Sequence, residues 1–579
     1  MKIFILLFAL TITSSSYLLR EKNKSQLPNA LSNVAEKKAR AIGCSPDLTL
    51  VDFSDPVNAI PLLSGWGDYR MPVTSSNDSA FIYFQQGINM YYGFHIIEAM
   101  ASFKKAARFD PGCAMLYWAQ ALGYGPNIND FGYRASPDAL AALNKAKELS
   151  GGADPFEKAL IDALSVRYTA DSTDVTRAQL NQLYTGKMKT VYEKFISNPD
   201  AQALYADAMM LQHPWDLWNT DGTPKAWTPE IRKVLEKLIA EFPEHPGGNH
   251  YYIHVMEPSP YASLALPSAG RLGITNPGLS HLVHMPSHIY LRTGYYQKGV
   301  EVNNNAVNSY QRSIPLFAPV TGADFLYAIH NLHMKTNNAM MMGNYSVAIK
   351  AAEETVANIP ADYLTIPAPM GSYIQYISMT PLLVYIRFAK WDELLRLKQP
   401  DAPQVYATLL WHFGRGMAFS AKQARKEAGE ELDKMREVMK DSSLLAPFTP
   451  FSPAIEGARV AEQILLGAIH LDKKRYEGAV RHLKKADSIE SKMVYNEPRD
   501  WILNPKHYLG TAYLANGDAV SAEKTFREDL QYNNENGWAL YGLYQALLAQ
   551  KKTAEAKKTE SRFRKAFSNA DVRISSAIY

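Results

Sequence analysis

The chain has almost no cysteine: two in 579 residues, Cys44 and Cys113. That excludes thiolate metal clusters and a disulfide-stapled scaffold, leaving either one bridge between the two or two separate buried thiols. Long apolar runs are equally scarce. The run at residues 3–12, behind Lys2 and ahead of Thr13-Ser14-Ser15-Ser16, is too short to span a bilayer. A positive start, a short apolar stretch and small residues read as a secretory signal peptide over 1–16. The mature protein is therefore expected to be exported, to the periplasm, cell surface or beyond, with no transmembrane segment. There is no excess of one charge: Lys plus Arg is 61 and Asp plus Glu is 57, for a net +4. That balance speaks against nucleic acid as a partner. A glycine-rich phosphate loop of the Walker type is missing too, as are a Ser-His-Asp order, an activated cysteine and strand-type alternation.

What the chain does have is helical periodicity. Residues 17–78 are a mixed leader, but from about 79 to the end apolar residues recur at three and four spacing, with Gly or Asp-Pro at the breaks. Small residues fall at a repeated register. Gly87, Ala99, Phe103 and Ala106 set one unit; Gly467, Ala479, Leu483 and Ala486 another; Gly510, Gly517, Ala522 and Phe526 a third. In the middle, Ala265 and Pro277 define a unit at 246–279. Gly294, Gly299 and Ala306 define the next at 280–313, and Gly343, Ala348 and Pro360 one at 329–362. A period of 34 residues is that of the tetratricopeptide repeat, a helix–turn–helix unit that stacks into a solenoid. The expected fold is an all-α, right-handed solenoid over 79–579, with histidine-rich repeats at 246–362 and further repeats at 455–570.

Half of the 14 histidines lie between positions 250 and 333. They occupy the second, fifth and ninth positions of the three central units: His250 and His254; His281, His284 and His288; His330 and His333. Gly247 and Asn337 fill the two remaining slots. Spacings of three and four place these side chains on one face of each first helix. His250 and His254 at i, i+4, with Glu257 beyond, form a chelating stripe, although Tyr251 stands where the zinc-protease motif needs Glu. Neighbouring helices pack about 8–10 Å apart, so imidazoles of adjacent units can share an ion. Imidazole with carboxylate suits zinc, copper, iron or nickel. His288 is counted among the ligands, although a kink at Pro286 could move it away from the cluster. Asp207, Tyr290 and Asn337 are candidate additions to the same groove, with Tyr251 and Tyr327 as further donors and Asp324 as a cap. The aromatic-rich turn at 213–218 reads as a plug of the solenoid, although Trp215 or Asp216 could face the groove, and the turn at 124–129 reads as one capped by its Asn residues. His95, His412, His470 and His482 read as structural, and His507 as a distant groove residue.

Several stretches resemble a family of uncharacterised bacterial, secreted tetratricopeptide proteins with a histidine-rich central region. They include Asp110-Pro-Gly-Cys-Ala-Met115, Pro214-Trp-Asp-Leu-Trp218, His245-Pro-Gly-Gly-Asn-His-Tyr-Tyr-Ile-His254, His281-Leu-Val-His-Met-Pro-Ser-His-Ile-Tyr290 and His330-Asn-Leu-His333. The resemblance implies the solenoid and export, and no reaction. Two functions therefore stand open. The concave face binds a transition metal through the histidines and Glu257, with catalysis an open question. Alternatively, it is a scaffold whose groove holds a peptide or protein partner, or an anionic ligand on protonated imidazoles.

Overall fold

A computed structural model describes residues 48, 51–53, 59–129, 133, 135–171, 174, 176–318, 325–448 and 451–579. The expected signal peptide, Cys44 and Asp324 lie outside them. Cys113 is a free, buried thiol, with Sγ 3.3 Å from the Thr74 carbonyl.

Among the described residues there are helices and no strands, only two isolated bridges. No helix among them is long and apolar enough to cross a membrane. The fold is an all-α solenoid of tetratricopeptide type, built from antiparallel helix pairs that each pack on the next. One turn recurs. Asp78–Tyr92 meets Ile96–Phe109, Phe325–Met341 meets Tyr345–Ala357, Ala454–Asp472 meets Tyr476–Glu490, and Pro505–Ala515 meets Ala519–Tyr532. In each, the residue two before the second helix is left-handed: Phe94 at φ 56°, Gly343 at 74°, Lys474 at 55° and Gly517 at 80°. Glycine takes this conformation freely, whereas for a bulky residue it is strained. Within each pair the crossing is tight. A methyl group on Gly87 would sit 2.4 Å from the Phe103 ring, and one on Gly510 the same distance from Phe526.

The leader runs extended along this stack. Met71 exchanges backbone hydrogen bonds with the Gln85 amide, and the Gly65 carbonyl accepts from Gly278 N at 2.7 Å. The apolar core has two parts, one from residues 60–317 and one from 291–577. They meet at the helix Pro286–Thr293, which gives Ile289 to the first and Leu291 to the second.

The far end of the chain folds back on this junction. Arg292 lies 3.5 Å over the Tyr532 ring, and Tyr296 Oη donates to the Asn534 carbonyl at 2.6 Å. Trp538 Nε1 donates to the Met340 carbonyl at 2.8 Å, and Asp571 accepts from the backbone amides of Tyr345 and Ser346. The solenoid is therefore closed by contacts some 200 residues apart in sequence.

Candidate metal centre

Three short helices carry the histidines. Pro246–Met256 starts on Pro at its first position and on His245, whose Nδ1 accepts from Gly248 N at 3.0 Å. Gly247, the empty second slot, is empty because the Tyr92 ring fills the space: a Cβ there would lie 2.5 Å from Tyr92 Cδ1. The second histidine helix breaks into Ser280–His284 and Pro286–Thr293. Pro286 does not move His288 away. Met285 keeps right-handed helical angles (φ −48°, ψ −37°), and Pro286 takes the first position of the new helix, where a missing N–H costs nothing. The third is Phe325–Met341.

The seven histidines are not spread along an open face. Six converge in two trios, and the rule is a stagger. Each trio joins the fifth and ninth positions of one unit to the second position of the next. In the first, His250 Nε2 lies 3.0 Å from His254 Nε2 and 3.1 Å from His281 Nε2. In the second, His284 Nε2 lies 2.7 Å from His288 Nε2 and 3.0 Å from His330 Nε2. Three nitrogens around one tetrahedral zinc, at the usual bond length, stand about 3.3 Å apart. The spacing is that of a ligand set.

The opposite nitrogens decide the proton positions. His250 Nδ1 donates to the Tyr92 carbonyl at 2.6 Å. His254 Nδ1 donates to Glu257 Oε1 at 3.1 Å. His284 Nδ1 donates to Asn303 Oδ1 at 2.8 Å; that amide orientation is fixed because Asn303 Nδ2 donates to the Gly299 carbonyl. With their protons on Nδ1, these imidazoles turn bare Nε2 lone pairs toward one another. Lone pairs at 3 Å repel unless a proton or a cation stands between them. Hydrogen bonds of this kind behind a histidine are how proteins orient metal ligands.

The setting also favours neutral imidazole. Burial, then the neighbouring histidines, hold His250, His281 and His284 well below the ordinary value. Burial first brings His330 down to about 3. His288 goes the other way: burial would lower it, but Glu257 and Glu497 outweigh that and raise it to about 10. Glu257 falls to about 2, because His288 and His254 overcome its burial.

The histidines expected to line a concave groove are interior. His250, His254, His281, His284 and His288 are at most 4% exposed. Aromatic rings enclose the first trio. Phe94, held in its left-handed turn, packs 4.6 Å from the His250 ring, and Trp215, whose Nε1 donates to the Ile128 carbonyl, packs 5.3 Å from His254. The turns at 124–129 and 213–218 thus meet beside the site, with Trp215 against it, while Asp216 pairs with Lys225 outside.

Other predicted residues take varied places. Glu257 sits behind both trios, with Oε1 on His254 Nδ1 and Oε2 2.5 Å from His288 Nδ1. His333 belongs to neither trio; its ring stands 5.9 Å from Tyr376. Asp207 lies elsewhere, accepting from Tyr91 Oη and raised to about 6 by burial against the pull of Arg167. Tyr251 Oη has no partner, and Tyr327 Oη donates to the Phe94 carbonyl. Tyr290 packs on Tyr295. Asn337 lines a pocket with Arg292, Glu497, Arg499, Trp501 and Tyr532. His507 is saturated between Asp529 and Arg387. Sequence reading missed Glu497, which contacts His288 from a loop outside the repeat register; nothing in the register points to it.

The chain matches no protein-family profile and no curated protein by sequence. Among solved structures it is similar to a human IFIT1 dimer with m7Gppp-AAAA, at 13% identity and a TM-score of 0.31, covering 85% of this chain and 91% of that one. It is also similar to yeast Tom70, at 13% identity and a TM-score of 0.27, covering 84% and 90%. A third likeness is to the APC/C hetero-tetramer Cut9-Hcn1, at 12% and 0.24, covering 81% and 90%. At these scores the likenesses add nothing to the fold already read from the helices.

Proposed function

We propose that this protein is a solenoid metalloprotein that holds two transition-metal ions in its interior, one in each histidine trio. The observation that carries the reading is the convergence of Nε2 lone pairs whose opposite nitrogens are already committed to a carbonyl, a carboxylate and an amide oxygen. Three imidazoles suit zinc, copper, iron or nickel, and leave a tetrahedral ion one position for water or a small ligand. The rival reading, a scaffold that grips a peptide or protein in an open groove, draws less support, since the histidine face is enclosed.

The test is elemental analysis of untagged, full-length protein beside the His250→Ala/His284→Ala double variant, which removes the central nitrogen of each trio. At least two equivalents of metal in the first, and two fewer in a still-helical second, support the reading. Metal below stoichiometry that ignores both added ions and the double substitution would sink it, and the partner search would then begin.

A further inference from the structure

Resting on that reading, we propose that Glu257, His288 and Glu497 hold a third cation, joined to the second trio by His288 acting as a bridging imidazolate. The ligand atoms of the three side chains lie within 4.8 Å of one another. His288 Nδ1 is 2.5 Å from Glu257 Oε2 and in contact with Glu497 Oε2. All three residues are more than nine-tenths buried. Yet His288 Nδ1, Glu257 Oε2 and both Glu497 oxygens lack a directed hydrogen bond.

A single N–H serves one acceptor along its axis, and here two carboxylates crowd it. Two buried carboxylates facing one imidazole bring more acceptor atoms to this point than there are donors to meet them. The nearby guanidinium of Arg292 gives neither carboxylate a hydrogen bond, because its N–H groups go to the carbonyls of Glu257, Ser259 and Tyr532. Arg499 is spent on Glu490 at 2.8 Å. A divalent cation between Nδ1 and the two carboxylates would give these atoms the partner they lack. One nitrogen with two carboxylate groups is a mixed donor set that suits zinc or copper.

The other face of the same ring is already in use: His288 Nε2 stands 2.7 Å from His284 Nε2 in the second trio. As the third cation binds, the Nδ1 proton leaves to solvent and both ring nitrogens become ligands, the two ions stabilising the anionic ring.

The experiment titrates metal-stripped, full-length protein with Zn(II) and counts bound ions by native mass spectrometry, for wild type and Glu497→Gln. Three ions in wild type and two in Glu497→Gln are expected. Two ions in both would overturn the third site and leave the two-trio reading intact; none in wild type would overturn both. Glu497→Asp, which keeps the charge on a shorter arm, is expected to retain the third ion more weakly, and controls for misfolding of the amide variant. Loaded with Cu(II), wild type should lose electron paramagnetic resonance intensity through exchange across the ring. Glu497→Gln should recover it, and unchanged intensity in that variant would rule out the bridge.

Discussion

The first two rungs of the histidine ladder and the third follow one positional rule with different residues. In the first two, a fifth-position and a ninth-position His meet a second-position His from the next unit. In the third, His333 is followed by Asn337 at the ninth position, and the next unit presents Tyr376. His333 is as buried as the others, and its Nε2 has no partner. Burial alone brings it down to about 3. The contrast separates two properties that a sequence scan merges. Periodic placement makes a histidine interior, but only convergence of three makes a ligand set.

The largest way to break the comparison is the double variant that removes His250 and His284, with loss of the ions of both trios. A sharper cut is His250→Ala alone: the first trio's ion should be lost and the second trio should keep its own, as elemental analysis would show. Glu257→Gln weakens the orienting hydrogen bond on His254 and the contact on His288, so affinity at both trios should fall about 10–100-fold, measured by competition with a chelator. Asn303→Ala should weaken the second trio alone, toward the lower end of that range. His333→Ala should leave metal content unchanged, and any loss would dissolve the distinction between rungs.

Acid offers a further test on metal-stripped protein. The unfolded chain takes up imidazole protons near pH 6.5, whereas His330 and His333 stay neutral in the fold down to about 3. Stability is therefore lost as pH falls below about 6.5, at up to about 1.4 kcal/mol per pH unit for each of the two. His288, raised to about 10, contributes with the opposite sign: its stabilisation is full below about 6.5 and fades as pH rises through about 10. A melting temperature that drops between pH 6.5 and 5 would agree; a flat profile would not.

Much of this was legible in the sequence, and the losses have physical causes. Helical period and small-residue register located the pairs, because tight crossings such as Gly87 on Phe103 leave a compositional trace. The histidine face was legible for the same reason. The stagger that sorts six of them into trios was not, because it depends on how one unit is offset from the next. Nor was the enclosure, because Trp215, Phe94 and Glu497 arrive from turns and loops with no period. His507 shows the converse error. It shares the fifth position, yet Asp529 and Arg387 occupy both its nitrogens, and register cannot reveal such partners.

The closure of the chain on itself has a consequence for how it can change over generations. An open repeat array gains or loses units at little cost, since each touches only its neighbours. Here Tyr532 rests under Arg292 and Asp571 anchors Ser346, so the number of units between them is fixed by the circumference they must span. A duplicated or deleted repeat in that arc would pull the seam apart and uncover the histidines. Such a protein should drift in sequence while holding its length between those points constant, and losing the last helix pair should cost it more than losing a surface loop.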